Sequence, residues 1–198
     1  MNFLEAVINE DLHIDSGNRT LNKLFDSYLK EVFSTSFVNK INRLFDTTLV
    51  FNDFKQRSTI MCYTQGTKIY VNTPLFRSVP TEKAMNYIMH EMFHVLVNTH
   101  KFPELNAVNK RLLNVVQKGV PKGKESDFFT GKHQNLHSDW HGEVINYLCN
   151  NSIDWDVGMP GIKLAYKTVL EESGIFNLSS KFWKKRFENS LDKKEKTA

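Results

Sequence analysis

A chain of 198 residues with 40% apolar and 24% charged residues is long enough to bury a sizeable core, and its composition excludes wholesale disorder. The formal charge is +4, and the whole excess lies in residues 181–198, where seven Lys or Arg stand against three acids. The two cysteines, Cys62 and Cys149, form no CxxC pair, which excludes a disulfide framework and a cysteine-ligated zinc ribbon.

The first residues, MNFLEAVINEDLH, carry acids where a signal peptide needs positive charge. No stretch approaches the roughly 20 apolar residues that span a bilayer. A cytoplasmic protein with no membrane partner is the expectation. Leu21, Leu24, Phe25, Tyr28, Leu29, Val32 and Phe33 recur at helical spacing, and a second helical piece with Phe37, Ile41, Leu44 and Phe45 follows Ser34-Thr35-Ser36. The character then changes. Residues 47–52, 58–63 and 68–71 are short and rich in β-branched and aromatic side chains, and Thr64-Gln65-Gly66 predicts a hairpin turn between the last two.

Pro80 before Thr81-Glu82 starts a helix that should run to about Asn98, with Met85, Ile88, Met89, Met92 and Leu96 on one apolar stripe. A further helix is expected over 105–116, and a polar loop over 117–136 with Phe128 and Phe129 inside it. Ser138 is placed to cap a helix reaching Asn151, and two closing helices are expected at about 162–172 and 179–190. Helices, then strands, then helices predict an α+β protein with a small antiparallel sheet packed on the 81–98 helix. Its domain should cover 1–160, followed by a helical extension, 161–198, that ends in the basic tail.

The chemistry centres on His90-Glu91-Met92-Phe93-His94. Residues four apart share a helix face, so His90 and His94 can present two imidazoles to one zinc ion. Glu91, rotated by about 100° around the helix, can reach a water beside the metal without binding it and can act as general base. A catalytic zinc takes a third protein ligand, and several residues compete for that place. His100 gives the HExxHxxxxxH spacing, but the chain would then have to turn at Val97, a β-branched residue ill suited to positive φ. Glu143 would place the ligand on a later helix. His137 and His141 lie four apart and could face one way. His133 reads as a loop surface residue.

Three segments carry a resemblance to the SprT-like zinc metallopeptidase family over roughly residues 20–150. They are Lys68-Ile69-Tyr70-Val71-Asn72-Thr73-Pro74-Leu75-Phe76, then Ile88-Met89-His90-Glu91-Met92-Phe93-His94, then His141-Gly142-Glu143-Val144-Ile145. The resemblance implies a zincin-like fold, zinc (Zn2+) held by His90, His94 and His141, and Glu91 as the catalytic base, with His137 the nearest rival for the third ligand. It also implies hydrolysis of peptide bonds in a protein or peptide substrate. Some family members act on proteins bound to DNA, and the basic tail 181–198 offers a possible DNA contact. An extended substrate would pair along a strand edge, for which Lys68–Asn72 is the candidate. The alternative is a zincin fold without turnover, serving assembly or nucleic-acid binding.

Overall fold

Alternating short β-branched stretches and longer apolar-periodic ones set the secondary structure. The computed structural model describes residues 28–45, 47–54, 60–130 and 140–188. The protein is α+β and divides into two units. One takes Asn42–Lys101, and the other takes the described parts of Asp26–Ile41 and Phe102–Ala198. No helix among the described residues is long and apolar enough to cross a membrane. Residues 28–32 are helical, the chain breaks at Phe33 and Ser34, and helix α1 (Thr35–Leu44) follows, burying Phe37, Val38 and Ile41. The expected helical stretch before residue 28 lies outside the described residues.

In the first unit, β1 (Thr48–Asn52), β2 (Cys62–Gln65) and β3 (Lys68–Asn72) form one sheet in the order β1-β3-β2. β2 and β3 are a hairpin with Gln65 opposite Lys68, leaving Gly66-Thr67 as its loop. Gly66 has φ +61°, and a positive φ confined to the first loop residue is the pattern of a II′ turn, which glycine adopts at no steric cost. The expected turn at Thr64-Gln65-Gly66 therefore begins too early, and Thr64 belongs to the strand.

Two other expectations need correction. The sheet is mixed rather than antiparallel, because β1 runs parallel to β3, with Thr48 opposite Lys68. Lys68–Asn72 is moreover not an edge. It is the centre, hydrogen-bonded on both sides, and its alternate residues Ile69 and Val71 are buried. A strand in that position has no main-chain groups left to offer a peptide.

After β3, α2 (Thr73–Ser78) opens with Pro74 in its first turn, where a missing N–H costs nothing. Helix α3 (Thr81–Asn98) then starts directly after Pro80 and packs on β2 and β3. Of the expected stripe, Ile88, Met92 and Leu96 are buried and Met89 is half-buried, while the Met85 side chain lies outside the described residues; Phe93 and Val95 are buried too, so α3 is covered on more than one face. The helix continues through Val97 and Asn98, and the left-handed turn falls at His100, whose φ is 57°.

The second unit is built from α4 (Pro103–Gly119), α5 (Glu125–Phe128), β4 (Phe129–Thr130), a 3-10 turn at Trp140–Glu143, α6 (Val144–Asn150), β5 (Ser152–Ile153), a second 3-10 turn at Trp155–Val157, α7 (Ile162–Ser173) and α8 (Lys181–Glu188). The expected polar loop is partly structured: Phe128 and Phe129 are buried, and β4 pairs antiparallel with β5. Every residue of α6 is buried. Its last carbonyls cannot reach water, and Arg186 on α8 donates to the carbonyls of Cys149 and Asn151 instead.

Trp183 is 0% exposed and donates from Nε1 to the Val32 carbonyl at 2.8 Å, while Trp155 stacks on Phe187 with ring centroids 5.8 Å apart. Helices α7 and α8 thus share one core with α4 and α6. A division at residue 160 would cut through that core rather than release an extension.

Candidate metal centre

The site starts from helix periodicity. His90 and His94 stand one turn apart on α3, their Nε2 atoms are 3.1 Å apart, and their rings meet edge to face with centroids at 4.8 Å. His90 is 3% exposed and His94 is half-buried. Together with a Glu91 carboxylate oxygen, the two imidazoles form a group whose ligand atoms all lie within 4.8 Å of one another. Two nitrogens at that separation, each at the 2.0–2.1 Å that zinc prefers, subtend about 98° at a shared ion, close to the tetrahedral value. The donor set is also of the right kind: neutral nitrogen from histidine, with a carboxylate nearby. The same 3.1 Å separation suits an N–H···N hydrogen bond between two neutral rings.

Glu91 is held from the sheet. The Thr64 hydroxyl, on β2, donates to its Oε2. Cys62 and Thr64 are two residues apart on a strand and so share a face. Cys62 is buried, and its thiol is pushed up by burial and then by the nearby Glu91 charge. Burial raises the Glu91 carboxyl above its usual range, and the Thr64 hydrogen bond opposes that shift. A carboxylate in such a setting takes up a proton more readily than an exposed one.

Of the candidates for a third ligand, His100 is exposed, belongs to the same unit and falls outside the clustered group. Six residues beyond His94, it would in any case point to another side of a continuing helix. His141 and Glu143 belong to the second unit, on the 3-10 turn Trp140–Glu143, where the His141 ring stacks on Trp140 at 4.2 Å. Asn109 on α4 fixes that turn with both ends of its buried amide: Nδ2 donates to the Gly142 carbonyl at 3.0 Å, and Oδ1 accepts from the Ile145 amide at 2.7 Å. His133, His137 and the proposed cap Ser138 lie outside the described residues.

Sequence reading missed Thr64 and Asn109. For Thr64 the available signal was the glycine: a II′ loop begins at Gly66 and leaves Thr64 on the strand, facing the same way as Cys62. Asn109 has no such signal, because a polar residue on a helix reads as solvent-facing until its partner segment is known. Comparison of the chain with protein-family models, with curated proteins and with solved structures finds no match.

Proposed function

We propose that the protein is a zinc-dependent metallopeptidase of the zincin type, similar to the SprT-like family, that hydrolyses peptide bonds in a protein substrate. The observation that carries this reading is the pair of Nε2 atoms 3.1 Å apart on α3, with Glu91 beside them and tied to β2. A zinc ion held there would supply a Lewis acid for the scissile carbonyl and would lower the pKa of a bound water. His90 and His94 would hold it through their Nε2 atoms. Glu91 takes the proton from the attacking water and returns it to the leaving amine nitrogen, a double duty that its buried setting favours.

An extended substrate pairs along β2, which ends the sheet among the described residues. His141 is the third ligand that the family resemblance implies, and His137 is its rival. The resemblance also points to DNA-bound proteins as substrates, and exposed Lys181, Lys184 and Lys185 on α8 suit a polyanion nearby.

Metal analysis paired with an activity assay tests the reading. Purified protein should carry zinc and cleave fluorescein-labelled casein. Glu91→Gln should keep the zinc and lose at least about 10²-fold in rate, the usual share of a general base. His94→Ala should lose both. Of His137→Ala and His141→Ala, the variant that loses zinc identifies the third ligand. Wild-type protein without zinc, and with unchanged stability on adding it, would make His90 and His94 a hydrogen-bonded pair and end the peptidase reading.

A further inference from the structure

We propose that Thr64 is the positioning residue for Glu91, fixing one carboxylate oxygen so that the other alone is presented for proton transfer. The inference rests on the peptidase reading for its catalytic consequence, and on geometry within one unit for the rest. The Thr64 hydroxyl donates to Glu91 Oε2 and lies 3.4 Å from the Glu91 carbonyl oxygen, so it sits against both the side chain and the backbone of that residue. Oε1 makes no hydrogen bond among the described residues.

A glutamate has three rotatable side-chain bonds, and an unanchored carboxylate would spend most of its time away from the reacting water. Thr64 suits the anchoring role because it is β-branched: on a strand its χ1 is stiff, so the hydroxyl is aimed by the sheet rather than by chance. Its neighbour in the hairpin, β3, is the central strand, which makes β2 a firm base for that donor. The structure therefore assigns the sheet a part in the chemistry: α3 supplies the base, and β2 sets its orientation.

The test compares Thr64→Val, which keeps shape and strand preference but removes the donor, with Thr64→Ser, which keeps the donor. Zinc content should be unchanged in both. With fluorescein-labelled casein as the probe, kcat should fall about 10- to 100-fold in Thr64→Val, the cost of a misplaced catalytic group, with KM within about twofold. Thr64→Ser should recover most of the rate.

Metal-free protein gives an independent readout. In samples labelled with 13C at the glutamate carboxyl and assigned through Glu91→Gln, the Glu91 resonance should shift in Thr64→Val and hold near its wild-type position in Thr64→Ser. Wild-type kcat in Thr64→Val, equal losses in both variants, or an unmoved carboxyl resonance would overturn the proposal. Zinc-loaded wild-type protein that leaves casein intact while the resonance shifts as expected would instead overturn the peptidase reading, and with it the catalytic consequence of the anchor.

Discussion

At the scale of single residues, burial decides which groups are available for chemistry. Cys149 on α6 is 1% exposed, and burial pushes its thiol up to about 12 against the pull of the Arg186 guanidinium. Cys62 is raised as well. At pH 8 a thiol near 12 is ionised to only about 10⁻⁴, against roughly a quarter for an ordinary cysteine, and the thiolate is the reactive form. With an aromatic disulfide reagent at pH 8, both cysteines should react at least about 10³-fold more slowly than free cysteine. They should react fully once guanidinium unfolds the chain. Fast labelling of folded protein would contradict the burial of both.

His90, Glu91 and His94 were legible at this scale because their geometry is local: one helical turn fixes the relation of all three. Thr64 was not. Gly66 marks where the turn opens, but which helix the strand faces is not written in the immediate neighbours of Thr64.

Among elements, the packing of α4 on α7 shows how little space some contacts leave. Gly119, the last residue of α4, and Gly158, just before α7, both approach Ile162. A Cβ added at Gly158 would sit 2.5 Å from Ile162 Cγ2, which hangs directly from that residue's Cβ and has nowhere to go. At Gly119 a Cβ would sit 2.7 Å from Ile162 Cδ1 and 2.8 Å from its Cγ1, so it meets the same side chain at slightly longer range. Gly158→Ala should therefore cost about 1–3 kcal/mol by overpacking. Gly119→Ala should cost less, since alanine's better helix propensity offsets part of the clash. Urea denaturation of the two variants checks the order, and a smaller loss at Gly158 would contradict the packing described.

Helix α3 was readable almost to the residue, from Pro80 to Asn98, because proline and apolar periodicity mark it. Sheet order was not, since β1 reaches β3 past a strand that intervenes in sequence, and nothing in a five-residue stretch names its partner. Phe128 and Phe129 were misjudged for a related reason. They lie in a polar, glycine-containing stretch, and the strand that pairs with them, β5, is only two residues long.

For the molecule as a whole, α8 settles how the carboxy-terminal region is used. A tail that only steered toward acidic partners would be dispensable for folding. Here Trp183 fills the core, Arg186 caps α6, and Trp155 Nε1 donates to the Arg186 carbonyl at 2.6 Å. Loss of one fully buried tryptophan side chain costs about 3–5 kcal/mol, against a typical total of roughly 5–15. A chain ending at Ser180 should lose at least that much by urea denaturation followed by circular dichroism. Equal stability would mean that α8 is not part of the core.

The boundary expected at residue 160 falls at Pro160-Gly161, between the Trp155–Val157 turn and α7. A turn in the chain does not by itself end a domain.

The second unit is also discontinuous. Ser34 donates to the Ile175 carbonyl at 2.9 Å, Asn177 donates to the Val32 carbonyl at 3.1 Å, and Phe33 bridges to Phe176. Segments roughly 140 positions apart thus meet as neighbours. During synthesis at about 5–20 residues per second, Leu29, Val32, Phe33 and Phe37 leave the ribosome many seconds before the residues that cover them exist. For that interval the nascent chain carries an uncovered greasy surface, and its safe maturation depends on whatever shields such surfaces in the cell.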